Sequence, residues 1–196
     1  MLVATNLREA VVTTKDGNPY AVNCAAMLMY TLTTARMRTA LFHSSVIENQ
    51  GRAYMFLGKS GTGKSTHSRL WLQHIEGSKL VNDDNPIVRV DDNGQATVYG
   101  SPWSGKTPCY RNVSYPIESI VRLEQAPYNK ILRLSGVEAY SAIVPSIAGK
   151  RWDKAMAEGL HQTENALVMN IPIWHLKCLP DKTAAQLCKL MCEKQS

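Results

Sequence analysis

The segment GKSGTGKS at residues 58–65 restricts this chain more than any other. It fits the pattern G-x-x-x-x-G-K-[S/T], which chance produces in roughly one chain per hundred of this length. Its surroundings fit as well. The apolar run Tyr54–Leu57 precedes it, and Lys64–Ile75 follows with Leu70, Trp71 and His74 at helical spacing. Strand, glycine-rich loop and helix in that order make a cradle for phosphate. Glycines at 58, 61 and 63 open backbone conformations closed to other residues and let N–H groups approach phosphate oxygens. The following helix points its N-terminus at the same anion. Lys64 is expected to pair with β- and γ-phosphate oxygens, and Ser65 to place its hydroxyl on Mg²⁺. The expected phosphate-binding set is Gly58, Lys59, Ser60, Gly61, Thr62, Gly63, Lys64, Ser65 and Thr66. A glycine-rich turn that merely caps a helix explains neither Lys64 nor the strand before the loop.

Asp83 and Asp84 form the second anchor, after Leu80, Val81 and Asn82. One helix and one short strand separate them from Lys64, which returns the chain beside the loop. Phosphoryl transfer needs a carboxylate to hold Mg²⁺ and one to orient or deprotonate the attacking hydroxyl, and adjacent carboxylates can divide these roles. The bland alternative is a helix-to-strand turn with solvated acids. Asp91 and Asp92 also follow an apolar run, Ile87–Val90, but Asn93 and Gly94 come next. That pair reads as a hairpin turn with positive φ at both turn positions.

A length of 196 residues predicts one domain, and 44% apolar with 19% charged residues excludes a wholly disordered chain. The first 14 residues carry no long apolar run, so no signal peptide is expected. Ala21–Leu32 is too short and too polar to span a bilayer. Five cysteines, at 24, 109, 178, 188 and 192, include no C-x-x-C pair. They read as buried or free thiols in a reducing cytoplasm, not as metal ligands. The net charge of +6 favours an anionic partner. The basic residues form no stripe, so the charge reads as nucleotide-site potential plus ordinary surface, not as a nucleic-acid footprint.

Periodicity predicts helices over Ala21–Thr34, Lys64–Ile75, Arg151–Thr163 and Asp181–Lys194, with Asp181 as an N-cap. Strands are expected over Thr39–His43, Ala53–Leu57, Lys79–Val81, Pro86–Val90, Ala96–Tyr99, Ile117–Leu123, Ile131–Leu134 and Ile171–Cys178. Glu48–Gly51 reads as a turn, so the strands at 39–43 and 53–57 are expected to form a hairpin. Gly100–Pro116 reads as a loop. The fold class expected is α/β, a single P-loop-containing domain with a mixed sheet.

Three segments together resemble a known family. HSSV at 43–46, FLGKSGTGKST at 56–66 and LVNDDNP at 80–86 are similar to the kinase domain of HPr kinase/phosphorylase. They are closer still to the short HPr-kinase-like proteins of bacteria, which share the nucleotide-binding core of phosphoenolpyruvate carboxykinase. The resemblance is specific over about 43–90; YGSPWSGKTPCYRN at 99–112 and IPIWHLKCLPD at 171–181 match more loosely. It implies a phosphoenolpyruvate carboxykinase-like, HPr kinase-like fold, with 1–38 as a helical segment packed on an ATP-binding domain at 39–196. It implies ATP on Gly58, Gly61, Gly63, Lys64 and Ser65. It also implies Asp83 and Asp84 as catalytic base and Mg²⁺-side carboxylate, in an order it does not fix. It places His43, on the strand before the loop, at the active site; taken alone His43 is a strand-end histidine. The glutamate- and arginine-bearing signature of the phosphorylase reaction is not recognisable after Asp84, so neither HPr as acceptor nor the reverse reaction is implied.

Lys106 and Arg111, on the long loop, read either as phosphate or substrate contacts or as a basic surface. Trp103 reads as an apolar anchor, His67 as structural, and residues 150–152 as a helix start. The expected function is an ATP- and Mg²⁺-dependent kinase acting on a hydroxyl of a protein, peptide or small molecule, serine-type by the resemblance. The alternative is a non-catalytic nucleotide-binding regulator. No nucleic-acid or membrane partner is expected, and a homo-oligomer is left open.

Overall fold

The computed structural model describes residues 2–3, 8–14, 17–105 and 107–193. Strands β1 (Leu2–Val3) and β2 (Ala10–Val11) pair with each other. Then come α1 (Pro19–Thr34), a 3₁₀ turn at Ala35–Met37, β3 (Thr39–Leu41), β4 (Ser44–Asn49), β5 (Arg52–Leu57) and α2 (Lys64–His74). The middle holds β6 (Lys79–Asp84), β7 (Ile87–Val90), β8 (Ala96–Tyr99), β9 (Ser114–Gln125) and β10 (Lys130–Leu134). The chain ends with α3 (Gly136–Ile143), a 3₁₀ turn at Val144–Ser146, α4 (Lys154–Asn170), β11 (Ile173–Cys178) and α5 (Lys182–Glu193).

The fold is mixed α/β. One sheet runs β3-β7-β8-β9-β5-β4-β6, with β11 and β10 continuing from the far half of β9. The 12-residue β9 is the hinge of this arrangement. Its start pairs antiparallel with β8, and its second half pairs parallel with β11. The pairing of β5 with β9 is also parallel, whereas β4 is antiparallel to both β5 and β6. Alternation along β5 divides the core. Ala53, Met55 and Leu57 join Leu160 and Leu167 of α4 on one face. Tyr54 and Phe56 meet Trp71 of α2 and Cys188 and Cys192 of α5 on the other.

The expected hairpin between 39–43 and 53–57 is not formed. The hairpin is β4 with β5, closed by Gln50 and Gly51 at φ +54° and +79°. That turn has the twist that suits a two-residue hairpin loop. Its register leaves β3 free to pair with β7 instead. The expected β7–β8 hairpin forms, but in its turn only Gly94 has positive φ. Asp91 Oδ1 accepts from the N–H groups of Asn93 and Gln95, so Asp91 is a turn residue. The strand expected at 79–81 runs on to Asp84, and β9 begins at Ser114, inside the expected loop. Helix α4 starts at Lys154, after Asp153 caps Met156 N–H, and extends to Asn170 instead of Thr163. Asp181 Oδ1 accepts from Ala184 N–H at the start of α5, as an N-cap does. All five cysteines carry free thiols, with Cys109, Cys188 and Cys192 buried. Among the described residues, no helix is long and apolar enough to cross a membrane.

His67 is part of the core that supports α2. Its Nε2 accepts from Trp71 Nε1 at 3.2 Å, and Phe56 packs edge-on against its ring. Burial pushes the imidazole down to about 4, from an ordinary value near 6.5. As pH falls below 6.5 the unfolded chain takes the proton first. Stability is therefore lost between pH 6.5 and 4, by about 3 kcal/mol in all, and this histidine adds no slope outside that window. Urea unfolding across pH 7.5 to 4 checks this. His67→Gln keeps an acceptor for Trp71 and is expected to flatten the slope. Equal slopes in both proteins would rule the assignment out.

Candidate active site

The loop after β5 turns on its glycines. Gly63 sits at φ +108° as the N-cap of α2, a conformation that other residues adopt only under strain. Its carbonyl accepts from His67 N–H and starts the helix. Gln125, at the end of β9, donates from Nε2 to the carbonyls of Gly61 and Thr62 and ties the loop to the central strand. Lys64 folds back over the loop. Its Nζ donates to Gly58 O at 2.9 Å, to Lys59 O at 3.4 Å and to His43 Nε2 at 3.1 Å.

The opposite wall is β6, which lies beyond β4 from the loop strand. Asp83 and Asp84 are therefore strand residues and not a solvated turn. Asp83 is buried and Asp84 half-buried. Asn82 organises this end. Its Oδ1 accepts from the N–H groups of Asp84 and Asn85, and its Nδ2 donates to Ser101 Oγ and Trp103 O. Asn85 Nδ2 then donates to Asp84 Oδ2 at 2.8 Å. The segment 101–105 closes over the strand, with Gly105 N–H on Asp83 O at 3.1 Å. A Cβ at Gly105 would stand 2.8 Å from that oxygen, so the approach requires glycine.

His43 does not lie on a strand. It links β3, which pairs with β7, to β4. Its N–H donates to Ser146 O at 2.7 Å, and its Nε2 stands 3.5 Å from Asp84 Oδ1. An ammonium can only donate, so its bond to Nε2 makes that atom an acceptor and places the ring proton on Nδ1. Burial holds the imidazole below its ordinary range, Lys64 adds to that, and Asp84 opposes it. Burial also lowers Lys64, against the pull of Asp84 and Asp83. The ammonium and the Asp84 carboxylate thus approach the same Nε2: the first bonds to it, and the second stands beside it without a hydrogen bond through the ring.

A cleft of about 420 Å³ collects these parts. His43, Ser60, Gly61, Gly63, Lys64, Ser65, Thr66, Asp83, Asp84 and Gly105 line it. Gly58 and Lys59 meet it through the carbonyls that hold Lys64, whereas Thr62 lines a neighbouring cavity. Arg111 is not brought in. Its Nη1 donates to Leu80 O at 2.7 Å, at the far end of β6, and it does not line the cleft. Lys106 lies outside the described residues. Trp103 is an anchor, buried edge-on against Tyr30 with Nε1 on Asn23 Oδ1 at 3.1 Å.

Solved structures that resemble this chain include that of the Hpr(Ser) kinase/phosphatase from Coxiella burnetii, at TM-score 0.44 and 13% identity. The overlap covers 78% of this chain and 98% of that one. No protein-family model and no curated protein matches the chain.

Sequence reasoning passed over Asn82, Ser101 and Gly105. The signal for Asn82 was present, because an asparagine two and three residues before backbone N–H groups is the pattern of an Asx turn. Gly105 carried none, since only the return of the loop onto β6 makes a side chain there impossible.

Proposed function

We propose that this chain is an ATP- and Mg²⁺-dependent phosphotransferase that passes the γ-phosphoryl group to a hydroxyl acceptor. The observation that carries the reading is one cleft in which Lys64 and Ser65, at the start of a helix, face Asp83 and Asp84. Ser65 and the two aspartates offer hydroxyl and carboxylate oxygens, a hard donor set that fits Mg²⁺. They would hold the ion, which when bound would neutralise charge on the β- and γ-phosphates. The loop and Lys64 hold the triphosphate. One aspartate takes the acceptor's proton as its oxygen bonds to γ-phosphorus, and the bond to the β–γ bridging oxygen breaks to leave ADP. The neutral His43, between Lys64 and Asp84, keeps the two charges at fixed separation. The resemblance of residues 43–90 to HPr-kinase-like proteins points to a serine-type acceptor.

The test is γ-labelled ATP with Mg²⁺, offered cell extract and a panel of hydroxyl compounds. Label is expected on a discrete acceptor and none is expected with the Asp83→Asn, Asp84→Asn double variant. ATP that binds but labels nothing would sink the transfer reading and leave a nucleotide-binding regulator.

A further inference from the structure

One line of paired residues crosses the sheet. Asp84 on β6 faces Ser44, Ser44 faces Leu57, Leu57 faces Arg122, Arg122 faces His175, and His175 faces Leu132 on β10. Residues paired in this way project from the same side of a sheet. Asp84 puts one end of the line in the cleft. The other end is open and basic. Arg122 and Leu132 are exposed there. Two residues further along the strands, Glu124, Lys177 and Lys130 form a second line on the same side. Glu124 is already engaged, by Lys177 Nζ at 3.1 Å and His175 Nε2 at 2.9 Å. Arg122 and Lys130 hold no partner among the described residues. The fold gains nothing from these charges. Lys130 stands directly opposite Lys177, and like charges so placed destabilise a strand pair. Arg122 lines neither of the two cavities beside the phosphate loop.

We propose that this basic face docks the acceptor, and that the acceptor is a polypeptide with acidic residues to one side of its hydroxyl; this rests on the phosphotransferase reading above. Spacing sets the class. Strands lie about 4.8 Å apart, so Arg122 is about 14 Å from Asp84 and the β10 end about 24 Å. An extended chain covers about 3.3 Å per residue, which puts the carboxylates roughly four to seven residues from the reacting hydroxyl. A small molecule with its hydroxyl at the aspartates does not reach that far. Ser44 and Leu57, in the middle of the line, are buried. The polypeptide therefore crosses above them, past Lys59, which is exposed two residues beyond Leu57. Single-stranded nucleic acid is held by stacking on aromatic rings, and the two lines carry no Phe, Tyr or Trp.

The experiment offers γ-labelled ATP and Mg²⁺ to synthetic peptides with one serine and with glutamate, glutamine or lysine four to seven residues to either side. Glutamate peptides are expected to be labelled about tenfold faster than glutamine peptides at low salt, and lysine peptides slowest. The advantage is expected to shrink as salt rises, because exposed charges are screened. The Arg122→Glu, Lys130→Glu double variant is expected to reverse the order while MgATP affinity stays put. Both side chains are exposed, so the core is untouched, and the retained ATP affinity checks the fold. Equal labelling of glutamate and glutamine peptides, or a glutamate preference that survives the double variant, overturns the acidic acceptor and leaves phosphoryl transfer standing. Label on small hydroxyl compounds and on no peptide does the same. A single-stranded oligonucleotide that blocks labelling by the native chain and not by the variant assigns the face to nucleic acid and overturns it too. Bound ATP with no label on any acceptor, cell extract included, overturns the phosphotransferase reading as well.

Discussion

Asp83→Asn and Asp84→Asn are each expected to cut phosphoryl transfer by about 10²–10⁴-fold, the range for loss of a positioned general base or of a carboxylate on the metal. ATP affinity is expected to move only a few-fold, because the loop and Lys64 carry the triphosphate. The substitution is nearly isosteric, so the backbone bond from Gly105 N–H to Asp83 O survives it. The two sites are expected to differ in a second readout. Asp84 opposes the lowering of His43, so its neutralisation removes a carboxylate 3.5 Å from the imidazole and moves the His43 titration further down. Asp83 is not among the groups that shift His43, and Asp83→Asn is expected to leave that titration in place. Transfer rates with labelled ATP and histidine titration by NMR check the pair. Near-native transfer in both variants would remove the aspartates from the chemistry.

The parts legible in the sequence are those set by local backbone chemistry. The loop at 58–65 is such a part: glycines that need positive φ, followed by the first turn of a helix, specify one conformation without help from distant residues. The turn at 91–94 and the cap at Asp181 are others. What escaped reading depends on distant partners. Residues 44–49 are buried along their whole length, yet SSVIEN shows no apolar alternation. Part of the reason is that several of its polar groups find partners, although Ser44 Oγ and Glu48 Oε2 are buried without a hydrogen bond. Ser45 Oγ meets Ser68 Oγ at 2.6 Å, Asn49 Nδ2 donates to Glu76 O, and Glu48 accepts from Gly51 N–H. Of the four residues read as a turn, Gln50 and Gly51 form it, whereas Glu48 and Asn49 end a central strand. Helix α3 escaped for a related reason, since it starts without a side-chain cap and Gly136 precedes its apolar face. At the site, the aspartates were legible as a pair, but the strand that carries them was cut short at Val81. For Arg111 two readings stayed open because charge in a sequence does not say which way a guanidinium turns, and here one of its nitrogens turns to a strand carbonyl.

Lys64→Ala is expected to weaken MgATP binding by about a hundredfold or more. Two charge-assisted bonds to phosphate oxygens, at roughly 1.5 kcal/mol each, amount to about 3 kcal/mol, and each 1.4 kcal/mol is tenfold in affinity. The loss is limited by what Lys64 gives up on binding. In the free chain its donors already reach Gly58 O, Lys59 O and His43 Nε2, so phosphate replaces existing bonds and does not fill an empty shell. The exchange is still favourable because phosphate oxygens carry charge and two carbonyls and a neutral imidazole do not. The same substitution frees His43. Lys64 is one cause of the lowered imidazole, so its removal raises the His43 titration toward 6.5, opposite in sign to the effect of Asp84→Asn. A variant that binds ATP with native affinity would break the assignment of the loop. A variant that loses ATP while the His43 titration stays fixed would show instead that the ammonium and the imidazole are not coupled. Two residues changed beside one histidine, with opposite shifts expected at it, test whether Lys64 and Asp84 are both coupled electrostatically to His43.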